Sequence, residues 1–276
     1  MTGNGEATRG QGEWVGLFRS VAAAQDDWLA SMRRCNLGPR LTEEVAQARL
    51  PLVRPEDMAA WAPHLRELGE SLCIALAEQE GTAALAKRLR PAMQTQRLAA
   101  DRLASAALAG QADLLAAWSA EHDLDGQQLA FVAAALAGPP ARLMAEGSLP
   151  SAGAGGAGGC PVCGHEPLLA RIDAEHGRRW LICSLCGSQQ RVPRVGCAFC
   201  GNSTQTSLGY LIPEVGPRGW RIDYCDTCGR YIKTVDERQA GPVGAEPLAV
   251  VDAATLQLDD LAQAHGYDMR ARMAAN

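Results

Sequence analysis

The chain carries ten cysteines, and eight of them stand as four Cys-x-x-Cys-Gly motifs: Cys160/Cys163-Gly164, Cys183/Cys186-Gly187, Cys197/Cys200-Gly201 and Cys225/Cys228-Gly229. Two residues between the thiolates let one tight turn present both sulfurs to a single tetrahedral ion, about 2.3 Å away for zinc. A glycine after the second cysteine adopts positive φ at low steric cost, so the backbone curls and its N–H groups can point at sulfur. Eight thiolates suffice for two four-cysteine metal sites. Nineteen residues separate Cys163 from Cys183 and twenty-four separate Cys200 from Cys225, each enough for a hairpin that brings two knuckles together. Sequential pairing then gives site 1 as Cys160, Cys163, Cys183 and Cys186, and site 2 as Cys197, Cys200, Cys225 and Cys228. A crossed arrangement, first knuckle with third and second with fourth, is the alternative.

Metal is favoured over disulfides where thiols stay reduced. Residues Met1 to Gly12 are polar and Gly-rich, without the basic region, apolar stretch and cleavage site of a signal peptide. No run approaches the roughly 18 apolar residues of a membrane span. The expectation is a cytoplasmic protein without direct membrane insertion. Thiol exchange is the other chemistry this spacing permits; it calls for a βαβ context, which is absent, whereas four pairs in two matched units favour metal. None of the five histidines has a paired acid or a second ligand at informative spacing. His165 is near enough to the first knuckle to support a ligand. Cys35 and Cys73 read as buried small hydrophobes. No phosphate loop and no nucleophilic triad can be argued, and no catalytic residue is expected.

The net charge of -5 and the pI near 5.6 give no electrostatic reason to expect nucleic acid. Each tetrathiolate with a divalent ion carries a formal charge of about −2. Arg178, Arg179, Arg191, Arg194, Arg218, Arg221, Arg230 and Lys233 are expected to offset it. No feature of the sequence sets an oligomeric state.

The elements that must hold these knuckles divide at Ser151–Gly159, a Gly/Ala linker with no side chain able to build a core. Residues 13–150, rich in alanine and leucine, form an α-helical domain of about five to seven helices. Trp14, Leu17, Phe18, Val21, Trp28, Leu29 and Met32 recur as one helix face. Pro55-Glu56-Asp57 resembles a helix start. Further helical patterns run from Leu65 to Leu76 and from Thr82. Pro91 predicts a kink or a fresh start, and a last helix over Gln127–Leu136 ends before Gly138-Pro139-Pro140. Beyond the linker, Arg179–Ile182 and Trp220–Tyr224 read as strands leading into Cys183 and Cys225. The two stretches match in layout, which predicts an internal duplication: a first ribbon over 160–196 and a second over 197–246. The tail, 247–276, regains helical spacing from Leu248 to Tyr267. Its Leu-Asp-Asp-Leu segment reads as a closing helix, with a docking surface as the alternative. The fold class is therefore α+β, a helical domain followed by two tandem rubredoxin-like, zinc-ribbon modules and a C-terminal helix. Such ribbons have little core, so metal should supply much of their folding energy.

Taken together, Cys-Pro-Val-Cys-Gly at Cys160, Cys-Ser-Leu-Cys-Gly at Cys183, Arg-Val-x-Arg-Val-x-Cys from Arg191 to Cys197, and Cys-Asp-Thr-Cys-Gly-Arg-Tyr-Ile-Lys from Cys225 to Lys233 resemble the formate dehydrogenase accessory protein FdhE family. The closing Leu-Asp-Asp-Leu-Ala-Gln-Ala-His-Gly-Tyr looks like that family's C-terminal helix. The resemblance covers roughly Cys160 to Tyr267. It implies a cytoplasmic maturation factor, not an enzyme, needed for active molybdenum- or tungsten-dependent formate dehydrogenase. It also implies binding to the catalytic subunit, with iron in rubredoxin-type sites; zinc suits the same thiolates. A nucleic-acid-binding zinc ribbon and a rubredoxin-like electron carrier are the competing readings.

Overall fold

The computed structural model describes residues 4–37, 51–144, 146, 158–244 and 246–269. The chain divides into two compact units, Met1–Leu149 and Pro150–Asn276. The linker expected at 151–159 lies outside the described residues as far as residue 157. Among the described residues, no helix is long and apolar enough to cross a membrane.

The first unit is helical. α1 (Asn4–Arg34) buries Leu17, Val21, Trp28, Leu29 and Met32 along one stripe. The helix start expected at Pro55 is a 3-10 turn, Pro55–Trp61. The Arg54 N–H donates to Asp57 Oδ2 at 2.8 Å and the Asp57 N–H to the Arg54 carbonyl at 3.0 Å, which closes that turn. Trp61 at its end is fully buried, its ring centroid 5.6 Å from that of Trp28. There follow α2 (Ala62–Ala77), α3 (Glu80–Gln94), α4 (Ala100–Leu108), α5 (Ala112–Glu121) and α6 (Gly126–Met144).

Prolines stand inside two of these helices, with different outcomes. Pro91 lies inside α3, which runs only to Gln94 before the chain restarts as α4 at Ala100. Pro139 and Pro140, expected to end the last helix, sit inside α6, which continues to Met144. Pro139 has no N–H to give the Ala135 carbonyl four residues back. The Gln25 amide of α1 donates to that carbonyl at 2.7 Å, so the helix continues with the orphaned acceptor satisfied.

The second unit is one six-stranded sheet in the order β3-β2-β1-β6-β5-β4. Its strands are β1 (Pro167–Ile172), β2 (Arg179–Cys183), β3 (Gln189–Val192), β4 (Leu208–Leu211), β5 (Trp220–Cys225) and β6 (Arg230–Asp236). Each ribbon is an antiparallel meander, β1-β2-β3 and β4-β5-β6. A parallel pairing of β1 with β6, from Leu169 opposite Lys233 to Ile172 opposite Asp236, joins them into a continuous sheet. Arg171 adds an ion pair at 2.9 Å to Glu237, at the start of α7 (Glu237–Ala240).

Alternation along the strands gives the sheet two different faces. On one, Ala198 and Phe199 of the third knuckle pack on Ala170 and Leu181 of the first ribbon and Ile232 of the second. On the other, Ile222 and Tyr231 pack against Leu258 and Ala262. The tail that was expected as one helix is two, α8 (Leu248–Ala253) and α9 (Leu256–Ala264). The break falls at Thr255, whose hydroxyl donates back to Val251 O at 2.9 Å. In the Leu-Asp-Asp-Leu segment Leu258 is buried, and Asp259 accepts from Tyr231 Oη and Lys233 Nζ, both at 2.7 Å. The segment is thus a closing helix. Lys233, expected to offset the thiolates, is fully buried and instead holds Asp252 at 2.6 Å and Asp259 at 2.7 Å.

Candidate metal centres

Each knuckle is a reversed turn shaped by its glycine. Gly164, Gly187, Gly201 and Gly229 have φ of 80°, 67°, 73° and 66°, a region that side chains disfavour. Gly164 N–H returns to Cys160 O at 2.8 Å, Gly187 N–H to Cys183 O at 3.2 Å and Gly229 N–H to Cys225 O at 2.9 Å. The second and fourth knuckles are borne by strand ends, because β2 runs into Cys183 and β5 into Cys225. The last two linker glycines serve the same corner. A Cβ on Gly158 would stand 3.0 Å from Phe199 O, and one on Gly159 would stand 3.1 Å from Gly164 O.

The sulfurs fall into two groups, Cys160, Cys163, Cys183 and Cys186, and Cys197, Cys200, Cys225 and Cys228, each with all sulfurs within 4.8 Å of one another. In the first group Cys163 Sγ lies 3.4 Å from Cys183 Sγ and 3.6 Å from Cys186 Sγ, and Cys160 Sγ lies 3.7 Å from Cys186 Sγ. In the second, Cys197–Cys228 is 3.6 Å and Cys200–Cys225 is 3.8 Å. A tetrahedron with bonds of about 2.3 Å has edges of about 3.8 Å, so both groups could hold a metal ion of that kind.

Residues after the knuckles support the sulfurs in ways the spacing did not reveal. Ser188 Oγ stands 3.0 Å from Cys160 Sγ and 3.1 Å from Cys186 Sγ. Asn202 Nδ2 lies 3.8 Å from Cys225 Sγ and is fixed by Ser207 Oγ at 2.8 Å and Thr227 Oγ1 at 3.0 Å. Both follow a knuckle glycine, and that position is the signal that could have found them. His165, in the same position of the first knuckle, accepts from the Cys160 N–H at 2.8 Å through its backbone carbonyl. Arg230, in the same position of the fourth, lies 3.6 Å above the Phe199 ring and forks onto Glu166 at 2.6 and 2.7 Å.

The two centres differ in access. All four cysteines of the first are buried, whereas Cys197 and Cys200 of the second are partly exposed. At Cys225 burial opposes ionisation, but N–H groups of Cys228 and Thr227 and the Asn202 amide outweigh it and bring the thiol down to about 7. Outside the centres, burial first and then Glu70 push the Cys73 thiol up to about 11. Cys35, expected to be buried, is exposed.

A helical unit followed by two four-sulfur ribbons fused into one sheet defines a class of two-unit proteins with tandem tetrathiolate centres. The model for the FdhE central domain matches residues 159–194. A Protein FdhE homolog from Stutzerimonas stutzeri (strain A1501) is 35% identical over 115 residues, 41% of this chain and 36% of the relative. One from Aquifex aeolicus (strain VF5) is 35% identical over 116 residues, 39% of this chain and 38% of the relative. These matches thus span little more than a third of the relatives' own length. The crystal structure of the FdhE protein from Pseudomonas aeruginosa superimposes with a TM-score of 0.58 at 25% identity, covering 93% of this chain and 85% of that one. The chain is thus similar to FdhE proteins, over residues 159–194 in the family model and over 93% of its length in fold.

Proposed function

We propose that this protein is a cytoplasmic maturation factor for a molybdenum- or tungsten-dependent formate dehydrogenase, and that it acts by binding the catalytic subunit rather than by catalysis. The observation that carries the reading is the pair of four-sulfur groups on a shared sheet within an FdhE fold. In this reading Cys160, Cys163, Cys183 and Cys186 hold one ion, and Cys197, Cys200, Cys225 and Cys228 a second, iron or zinc. The bound metal cross-links each ribbon and, as iron, can take up or release one electron. The protein's own residues do the rest. Ser188 and Asn202 orient sulfurs, the Leu185 N–H donates to Cys183 Sγ and the Phe199 and Cys200 N–H groups to Cys197 Sγ, and the Phe199 plug ties the second centre to the first ribbon.

The partial exposure of Cys197 and Cys200 favours electron transfer at the second centre as an accompanying role. Nucleic-acid binding is disfavoured, because Arg171, Arg178, Arg179, Arg221, Arg230 and Arg238 are all paired with carboxylates. The test is capture of a formate dehydrogenase catalytic subunit by metal-loaded protein, with formate dehydrogenase activity assayed in a strain lacking the gene. Capture together with lost activity is expected. No capture, with unchanged activity, sinks the reading.

A further inference from the structure

The two centres are reached differently from solvent. Beside the first, the cavity lined by Cys160, Cys183 and Ser188 measures about 10 Å³, room for a single water at most. Beside the second, Cys197 and Cys225 line an open cavity of about 170 Å³. Phe199 and Arg221 line it too, as do Val195, 49% exposed, and Tyr210, 60% exposed, whose ring centroid lies 5.2 Å from the Arg221 guanidinium. A cavity of about 150 Å³ holds a molecule the size of benzene, so a thiol of a few non-hydrogen atoms fits here.

Among the sulfurs of the second centre, access singles out Cys197. Cys225 lines the cavity but is buried, Cys228 is buried, and Cys200 is partly exposed without lining the cavity. Cys197 both lines the cavity and is partly exposed. Its sulfur accepts from the Phe199 N–H at 3.4 Å and the Cys200 N–H at 3.5 Å. Both donors belong to the knuckle backbone, so they remain on the sulfur once it has let go of an ion. Hydrogen bonds to the charged form favour that form, and a departing Cys197 thiolate is held where it can rebind.

We propose that this cavity is a binding site for a small thiolate, which displaces Cys197 and so lets the second centre exchange its ion while the first keeps its own. The thiolate is the form of a thiol that binds metal. The step replaces one thiolate by another: the incoming sulfur–metal bond forms as the Cys197 bond breaks, and neither a proton nor an electron is transferred. Cys200, Cys225 and Cys228 hold the ion until an acceptor takes it, and the reverse order loads one. The inference rests on reading the second four-sulfur group as a metal centre and does not require the formate dehydrogenase role.

The test mixes the zinc-loaded full chain, without oxygen, with the chelator pyridylazoresorcinol, whose absorbance reports released zinc, at rising mercaptoethanol. One equivalent should leave in a fast phase whose rate rises in proportion to the thiol. The second should leave about tenfold more slowly, because a fully buried sulfur is reached only after local opening. Alkylation at the end of the fast phase should mark Cys197, Cys200, Cys225 and Cys228 and spare Cys160, Cys163, Cys183 and Cys186. Val195→Trp, which narrows the mouth of the cavity, should keep both ions and slow the fast phase about fivefold, a barrier rise of about 1 kcal/mol. Tyr210→Ala, which widens it, should quicken that phase. A fast phase independent of thiol, two ions leaving together, alkylation of the first centre, or the wild-type rate in both variants overturns the proposal. Fewer than two equivalents on loading overturns it as well. If wild type captures the formate dehydrogenase subunit but yields no zinc to the thiol, the exchange site falls and the maturation role stands. If it yields one equivalent to the thiol but captures no subunit, the role falls and the exchange site stands.

Discussion

At the scale of single residues, thiol chemistry separates the ten cysteines into three kinds. Cys35 is exposed, Cys73 is buried with its thiol raised to about 11, and the remaining eight form the two four-sulfur groups. Metal-loaded protein treated with iodoacetamide at pH 8 should therefore gain one adduct, on Cys35, because alkylation requires the thiolate. Chelation should release eight more reactive thiols, and intact mass before and after chelation reads both states. Several adducts before chelation would count against metal occupancy. Lys233 gives a second prediction. Its ammonium is fully buried and paired with Asp252 of α8 and Asp259 of α9, so Lys233→Ala strands both carboxylates. Breaking a buried pair in this way costs about 3 kcal/mol, measurable by urea unfolding of the metal-loaded protein. Adding Asp259→Leu should recover part of the loss. The knuckle cysteines were legible in the sequence because their geometry is local, two residues and a glycine. Lys233 was misread as a counter-charge to the thiolates because strand alternation, which turns it to the α9 face, depends on register that composition does not reveal.

At the scale of elements, the sequence pattern found segments and missed their ends. The Leu65–Leu76 stripe is α2, and Arg179–Ile182 and Trp220–Tyr224 are the bodies of β2 and β5. Gly138-Pro139-Pro140 reads as a stop because an isolated helix cannot satisfy the Ala135 carbonyl. The group that satisfies it, Gln25, stands 110 residues away in sequence. Gln25→Ala should accordingly destabilise the helical unit by about 1 kcal/mol, the net worth of one hydrogen bond whose acceptor has no other donor in the helix. The loss should appear in thermal unfolding followed at a helical signal, and Gln25→Glu, which offers no second amide donor, should not restore it. An unchanged midpoint would mean that water reaches Ala135 O as well as the amide does. The duplicated meander was similarly legible from its two matched halves. The β1–β6 pairing was not, since a parallel pair between distant strands leaves no local signature.

At the scale of the whole molecule, that parallel pairing changes what the second unit is. Two independent ribbons would each fold around their own ion. Here β1 and β6 share hydrogen bonds, Ala198 and Phe199 bridge Ala170, Leu181 and Ile232, and Arg179 of the first ribbon donates to Gly196 O just before the third knuckle. Loss of the first centre therefore removes part of the scaffold that shapes the second. Because metal binding and folding are one equilibrium in small thiolate modules, Cys183→Ser/Cys186→Ser protein should bind well under one equivalent of metal rather than retain one full equivalent. The same substitutions at Cys225 and Cys228 should deplete the first centre less. Its four cysteines are buried, and its own ribbon covers them. Elemental analysis of both variants, purified without oxygen, measures the asymmetry. Retention of one equivalent in each would make the ribbons independent modules that merely abut. Circular dichroism should meanwhile keep a helical signal in both variants, since Met1–Leu149 forms a compact unit by itself. A metal-dependent sheet and a metal-independent helical unit in one chain would let a change of metal state in the cell alter the sheet while the helices stay folded.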